Sequence, residues 1–217
     1  MTRSEFAPAS RRSTVRRVAR RASYDPEVIH AILDAGLVAH VAFMHEGQPL
    51  VIPMAYVRCD AELVLHGAVA SRLLALGAEG VPMSACVTLL DGLVYARSAF
   101  HHSVNYRSAV VLGRAREITD AAAKLAFLDA LVERVAPGRS RSVRAPNAKE
   151  LAATRVIALP IDEASAKIRI GGPVDDDEDL TVPVWAGHLP LAMHAAPHVA
   201  FDDAAQRFDR PALPRLT

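Results

Sequence analysis

Residues 83–99 carry the sequence MSACVTLLDGLVYARSA, and this stretch decides the fold prediction. Residues 83–90 and 93–99 are apolar and rich in side chains that strands favour. Asp91-Gly92 between them is the strongest short hairpin signal in the chain. A two-residue connection joins antiparallel strands only, because a parallel pair needs a long crossover. The stretch therefore predicts an antiparallel hairpin and argues against a doubly wound nucleotide-binding fold.

Further helix and strand signals lie on both sides of this hairpin. Asp25-Pro26 predicts a helix start and Gly36 its end, while Thr119 or Asp120 caps a long helix. That helix covers about 121–135, and Asn147 caps a short one through 153. Another short helix is expected over 70–76, and the remaining strands are predicted over 37–43, 50–57, 62–66, 108–118, 155–159 and 166–170. Many short strands with turn signals predict a mainly β fold with flanking helices, in a barrel or sandwich.

Composition limits the classes of function. The 217 residues fit one domain, and a net charge of +1 gives the whole chain no electrostatic attraction for nucleic acid. Cys59 and Cys86 make neither a zinc pattern nor a disulfide framework. No stretch approaches the roughly 20 apolar residues of a membrane helix. We expect a cytoplasmic protein with no membrane partner.

Composition also divides the chain. Residues 1–22 contain seven arginines among small polar residues and are expected to form a basic flexible arm. A folded domain is predicted over 23–192, with a loosely held tail over 193–217. The acidic run at 175–179 is expected to be a solvated loop.

Three polar clusters could hold a ligand. Residues 65–72 place a serine and an arginine where a strand gives way to a helical turn, which suits either a phosphate or an ordinary helix cap. Residues 97–108 contain enough polar side chains to line a pocket. The pair His101-His102 does not predict a metal site, because adjacent strand residues point to opposite faces. Lys167 and Arg169 share a strand face, which suits either an anion or solvent.

Several short motifs follow one another within residues 22–191. They are Ile52-Pro53-Met54-Ala55-Tyr56, Leu65-His66-Gly67-Ala68 with Ser71-Arg72, Phe100-His101-His102 with Asn105-Tyr106-Arg107-Ser108 and Gly113, Lys167 with Arg169, and Trp185-Ala186-Gly187 with Leu189-Pro190-Leu191. Their order and spacing resemble the flavin-nucleotide-binding branch of the pyridoxamine 5′-phosphate oxidase-like proteins. The 5-nitroimidazole-resistance reductases are relatives of that branch.

This resemblance implies a six-stranded antiparallel split β-barrel that forms a homodimer with FMN at the subunit interface. Ser71 and Arg72 match the place where the family holds the FMN phosphate. The strand 51–54 lacks the arginines and lysines of the true oxidase, so oxidation of pyridoxamine phosphate itself is not expected. The resemblance implies these cofactor-binding residues: Pro53, Met54, Tyr56, His66, Ser71, Arg72, Asn105, Tyr106, Arg107, Ser108, Lys167, Arg169 and Trp185.

The function implied is an FMN-dependent oxidoreductase that passes electrons from a nicotinamide donor to a small acceptor. His66 is the expected catalytic proton donor, and Arg107 or another nearby cation would stabilise the reduced flavin ring. Three alternatives remain open. The chain could bind haem through His101 or His102, bind a deazaflavin, or act as a flavin carrier or redox sensor without a substrate.

Overall fold

The computed structural model describes residues 6–203 and 205–213. The described α-helices are α1 (Pro26–Ala35), α2 (Arg72–Ala78), α3 (Ala121–Val135) and α4 (Ala148–Ala153). The described strands are β1 (Ala22–Ser23), β2 (Val38–His45), β3 (Gln48–Cys59), β4 (Glu62–Ala68), β5 (Pro82–Tyr95), β6 (Ser103–Arg114), β7 (Arg116–Glu117), β8 (Thr154–Pro160), β9 (Glu163–Arg169) and β10 (Gly187–Pro190). Within this part of the chain no helix is long and apolar enough to cross a membrane.

The strands form one antiparallel sheet in the order β1-β9-β6-β5-β2-β3-β4-β8-β7, and β10 joins the edge of β5. Strand β3 divides the sheet, because it pairs with β2 up to Ala55 and with β4 from Tyr56 onward. This arrangement confirms the predicted antiparallel split-barrel class. Ten described strands replace the expected six, partly because β1, β7 and β10 have only two to four residues each and leave little sequence pattern.

The predicted hairpin at Asp91-Gly92 is wrong. Strand β5 runs straight through this pair, and β6 lies along both of its halves. The register shifts between Leu90 and Gly92, so that Asp91 is the extra residue of a β-bulge. A Cβ on Gly92 would come within 2.8 Å of the Leu189 carbonyl oxygen, so glycine permits the close approach of β10. Long-range pairing therefore overrides the local turn signal.

Helix α1 closes the interior of the barrel. Ile29, Ile32 and Leu33 are buried in the same core as the inward-facing residues of the strands. Asp25 caps the helix by accepting a hydrogen bond from the Glu27 amide, as the sequence predicts. The boundaries of α3 are also confirmed, with Asp120 as its cap. Helix α3 covers a second apolar layer on the outer faces of β3, β4 and β8.

The last carbonyls of α1 are satisfied by side chains from other elements. The Tyr56 hydroxyl donates to the carbonyl of Leu33, which is fully buried. The Arg134 guanidinium donates to the carbonyls of Asp34 and Gly36. These bonds fix the position of the helix end, because buried carbonyls without a donor cost free energy.

The N-terminal segment makes defined contacts with β9. Ser13 is buried, and Arg12 and Ser10 both bond to the Glu163 carboxylate. Strand β1 pairs with Ala166 and Lys167 of β9. The predicted arm thus contacts the sheet from Ser10 onward, and residues 1–5 lie outside the described residues.

We expect Tyr56→Phe to lower the free energy of unfolding by about 1–3 kcal/mol, because it leaves the buried Leu33 carbonyl without a donor. Urea denaturation at pH 7 measures this change. Tyr95→Phe is the matched control, since the Tyr95 hydroxyl makes no hydrogen bond to any described residue. An equal loss in both variants would contradict the capping role of Tyr56.

Candidate functional site

A cavity opens along one edge of β5. Strand β2 covers this edge up to the pair His40–Cys86, and β10 covers it from Gly92 onward. The cavity, about 490 Å³, lies in the gap between them. This volume falls within the roughly 300–1,000 Å³ that is usual for small-molecule sites. Its lining residues are Ala35, Gly36, Leu37, Val38, His40, Thr88, Leu89, Leu90, Asp91, Arg107, Leu191, Ala192 and Met193.

Most of the cavity wall is apolar, and one ion pair supplies its fixed charges. Arg107 bonds to Asp91 through two nearly parallel contacts, Nε to Oδ2 at 3.0 Å and Nη2 to Oδ1 at 2.8 Å. The bond to Asp91 raises the pKa of Arg107 above its ordinary value. Two of the five guanidinium donors are used in this pair, which leaves others free for a ligand in the cavity.

His66 lies near the end of β4, on the face that α3 covers. Its register partner is Val156, and its neighbour Val64 packs in the layer beneath α3. The His66 Nδ1 atom is buried and has no hydrogen-bond partner among the described residues. Burial lowers the pKa of His66 below its ordinary value, so the ring is neutral near pH 7. A neutral imidazole with an unused buried nitrogen is suited to hold a metal centre or an electrophile.

Ser71 and Arg72 stand where the sequence places them, at the start of α2. Ser71 is the N-cap residue, yet its hydroxyl makes no capping bond. Arg72 is exposed and forms no ion pair with a described residue. Both side chains are free for a ligand, and their role in holding a phosphate stays a prediction.

The predicted residues of β6 and β9 contact one another directly. Arg169 donates to Asn105 Oδ1, and Asn105 Nδ2 donates to the Gly171 carbonyl at 3.1 Å. The Ser108 hydroxyl donates to the Lys167 carbonyl at 3.2 Å. Tyr106 is the register partner of Arg169. Within the described chain, no hydrogen bond or ion pair links this group to His66, Ser71 or Arg72.

The other predicted cofactor residues are dispersed. Pro53 is exposed on the outer face of β3, whereas Met54 packs against the barrel core. Tyr56 is buried in that core and bonded to α1, and burial raises its pKa. Trp185 is exposed, with its ring 5.7 Å from that of Tyr95. Among the predicted residues, Arg107 alone lines the 490 Å³ cavity.

The acidic run is less solvated than the sequence predicts. Asp175 accepts from the Arg97 amide at 2.9 Å and from its guanidinium at 2.7 Å, and its side chain is almost fully buried. The bond from the Arg97 amide is the main cause that lowers the pKa of Asp175. This clamp brings Asp176 and Asp179 to His101, with their ligand atoms within 4.8 Å of one another. His102 Nδ1 lies 2.9 Å from the Ser98 carbonyl oxygen.

Sequence reasoning missed most of the cavity wall. Residues 191–193 and the end of α1 enter the site only through long-range packing, and although the sequence marked Leu191 as part of a motif and Gly36 as a helix end, neither signal placed them at a cavity. Asp91 was interpreted as a turn residue, although its carboxylate orients Arg107. An acid on a strand next to a glycine could also have indicated a bulge.

Comparison with known proteins places these features in a family. A family model described as pyridoxamine 5′-phosphate oxidase matches residues 25–168. The flavocytochrome Anf3 from Azotobacter vinelandii is 38% identical with a TM-score of 0.84, and the match covers 93% of this chain and 98% of that one. The FAD and heme binding protein from Mycobacterium smegmatis is 42% identical with a TM-score of 0.83, and the match covers 88% and 94%.

A more distant match supports the fold alone. A proposed 5-nitroimidazole antibiotic resistance protein from Bacteroides thetaiotaomicron is 20% identical with a TM-score of 0.55, over 68% of this chain and 86% of that one. A comparison with curated protein sequences found no significant match.

We expect His66→Gln to weaken the pH dependence of stability. The unfolded histidine takes up a proton near pH 6.5, and burial lowers the pKa of His66 in the folded chain. Between these two pKa values the unfolded state binds more protons than the folded state. The contribution of His66 to the free energy of unfolding is therefore complete above about pH 6.5 and falls as the pH drops below it.

The measurement is the free energy of unfolding of the ligand-free protein at pH 7.5 and 5.5. The native chain should lose more stability between these pH values than His66→Gln. His188→Gln, at an exposed histidine, is the control and should behave as the native chain does. If the native chain and His66→Gln lose the same amount, His66 is not desolvated in the fold.

Proposed function

Because the chain belongs to the pyridoxamine 5′-phosphate oxidase family, we propose that it is a flavocytochrome, which binds a flavin nucleotide and a haem and moves electrons between them. Two relatives support this proposal, since the names of both combine a flavin with a haem and both match along nearly their whole length. The sequence alone favoured FMN, whereas the name of the Mycobacterium smegmatis relative specifies FAD. We therefore propose FAD as the flavin.

The observation that carries the proposal is the unpartnered, neutral imidazole of His66. Haem iron in proteins is commonly held by a neutral histidine nitrogen. His66 meets this requirement, because burial lowers its pKa and neither of its ring nitrogens bonds to a described residue, while Nδ1 is the one already shielded from water. His101 fits less well, since its Nε2 already lies within hydrogen-bond distance of Asp176. His102 keeps its Nε2 free because its Nδ1 faces the Ser98 carbonyl, an arrangement common among metal-ligating histidines, so it is the alternative ligand that the variants below separate from His66.

This assignment changes the role first predicted for His66. A proton donor at neutral pH must carry its proton there, and burial shifts His66 away from that state. The same burial favours a ligand role, because metal binding needs the deprotonated nitrogen. We propose that His66 holds the haem iron and does not protonate the electron acceptor.

The 490 Å³ cavity is the proposed place for the flavin ring. Its walls include Leu37, Leu89, Leu90 and Met193, which suit a flat apolar ring system. A flavin held there would supply the redox chemistry. Arg107 faces this space with donors that Asp91 leaves free, and its fixed charge favours electron-rich groups there. Asp91 holds the guanidinium in place as a positioning residue.

A homodimer is proposed on the basis of the outer face of β2 and β3. On this face Met44 is 52% exposed and Val51 is 60% exposed, and Val38 is also exposed. Pro53 lies on the same face, next to His40 in register. Neighbouring apolar side chains that remain exposed on a sheet are typical of an interaction surface. A second copy of the chain would cover them and bring Pro53 into the interface, as the sequence resemblance implies.

The absorption spectrum of the purified protein tests the flavocytochrome proposal. We expect the two broad near-ultraviolet and blue bands of a flavin together with a sharp Soret band, and heat should release FAD. His66→Ala should lower haem occupancy at least roughly tenfold, because the side chain that would hold the iron is lost. His101→Ala and His102→Ala are matched controls that keep the Soret band. A colourless protein that takes up neither cofactor, or a Soret band that only the control variants lose, contradicts the proposal.

Sedimentation equilibrium tests the dimer. The native chain should have twice the monomer mass of 23.3 kDa. Val51→Glu places a charge on the outer face of β3 and should shift the equilibrium toward the monomer, because burying an unpaired carboxylate is costly. Val199→Glu, at an exposed tail position, should leave the mass unchanged. A native mass of one chain would refute the dimer.

A further inference from the structure

A second cavity, of about 250 Å³, lies where the N-terminal segment crosses the end of β9. Its lining residues are Arg20, Arg21, Ile168, Arg169, Ile170, Gly172 and Val174. Three of the seven are arginines, and no acidic residue of the described chain lines the wall. We call this site the three-arginine pocket.

Arg169 is a buried cation without a counter-ion. Only 6% of its surface is exposed. Its donors reach the Asn105 amide oxygen and the carbonyls of Gly171 and Gly172, all of which are neutral, and its Nε has no acceptor. A charge removed from water in this way is stabilised mainly by a neighbouring opposite charge. The described residues supply none.

The N-terminal segment adds charge of the same sign. Ala22 pairs with Lys167, so the antiparallel register brings Arg20 and Arg21 beside the end of β9. Neither guanidinium has a hydrogen bond or ion pair to a described residue. Desolvation, and then the nearby charge of Arg21, lower the pKa of Arg169. The two acids closest to Arg169 in sequence are already engaged, since Asp175 binds Arg97 and Glu163 binds Arg12.

We propose that the three-arginine pocket binds a phosphate group. Guanidinium groups match phosphate oxygens in charge and in fork geometry, and three of them converge here. The volume of about 250 Å³ lies below the range of roughly 300–1,000 Å³ for whole small-molecule sites. The pocket therefore takes one charged part of a larger ligand, or a free phosphate.

In this proposal the N-terminal segment presents two arginines to the pocket. Arg20 and Arg21 follow Val18, whose backbone is left-handed with φ at 55°. A β-branched residue rarely adopts this conformation, so the turn that presents the two arginines is held there by its surroundings. The phosphate site stands whether or not the flavocytochrome proposal holds, because it depends only on the charges and their placement.

Two sources of the phosphate are compatible with this chemistry, namely the flavin nucleotide and a phosphorylated nicotinamide dinucleotide. Calorimetric titration of the full-length protein, freed of bound flavin and haem, with pyrophosphate at constant ionic strength tests the site itself. We expect saturable binding that weakens roughly 10- to 100-fold in the double variant Arg20→Gln/Arg21→Gln, which loses charge-assisted hydrogen bonds. Arg16→Gln/Arg17→Gln is the matched control, since it removes the same charge from the same segment outside the pocket.

The control should bind pyrophosphate as tightly as the native chain. Absence of saturable binding in the native chain, or an equal loss in both double variants, overturns the proposal. Titrations with FAD and with NADPH then identify the source. Only the nucleotide whose phosphate enters the pocket should bind more weakly to Arg20→Gln/Arg21→Gln than to the native chain. If the double variant weakens the binding of pyrophosphate but of neither nucleotide, the pocket takes a free phosphate.

Discussion

The bond from the Tyr56 hydroxyl to the Leu33 carbonyl sets the position of α1, and much of the structure depends on that position. A helix end inside a barrel exposes carbonyls that water cannot reach, so the sheet itself must supply the donor. Gly36 makes the close contact possible, because a Cβ there would lie 2.4 Å from Val87 and 2.8 Å from the Tyr56 hydroxyl. Gly36 also lines the larger cavity, together with Ala35, Leu37 and Val38. The docking of the helix end therefore also determines the shape of one cavity wall.

The other walls arise from incomplete pairing along β5. Strand β2 leaves this edge after the pair His40–Cys86, and β10 begins at Gly92. The edge between them carries the bulge, and the bulge gives Asp91 its place beside Arg107. An unpaired stretch of strand edge with apolar walls is a place where a flat ligand can bind without breaking the ladder. The proposed flavin site therefore lies where the barrel is least regular, and bulges are common next to functional sites.

The sequence predicted what depends on neighbours in the chain. Asp25, Asp120 and Asn147 cap helices where predicted, because a cap needs only the next few amides. The antiparallel class follows from many short strands, and it holds although the Asp91-Gly92 hairpin does not. The contacts of Arg169, His66 and residues 191–193 depend on registers between distant segments, which no local pattern encodes. Family motifs partly replaced that information. They identified Arg107, His66 and Arg169 as candidate site residues but did not show what each one contacts.

Burial affects the charge of His66 and of Arg169 in different ways. The histidine can lose its proton and become neutral, so burial favours the form of the ring that can bind a metal or another electrophile. The arginine stays charged at any accessible pH, so burial leaves it needing an anion. Both needs would be met by bound groups, a metal centre for the imidazole and an oxyanion for the guanidinium. A ligand that binds only the folded chain stabilises it by an amount that grows with the logarithm of its concentration relative to its Kd, and the apoprotein should therefore be less stable than its loaded form.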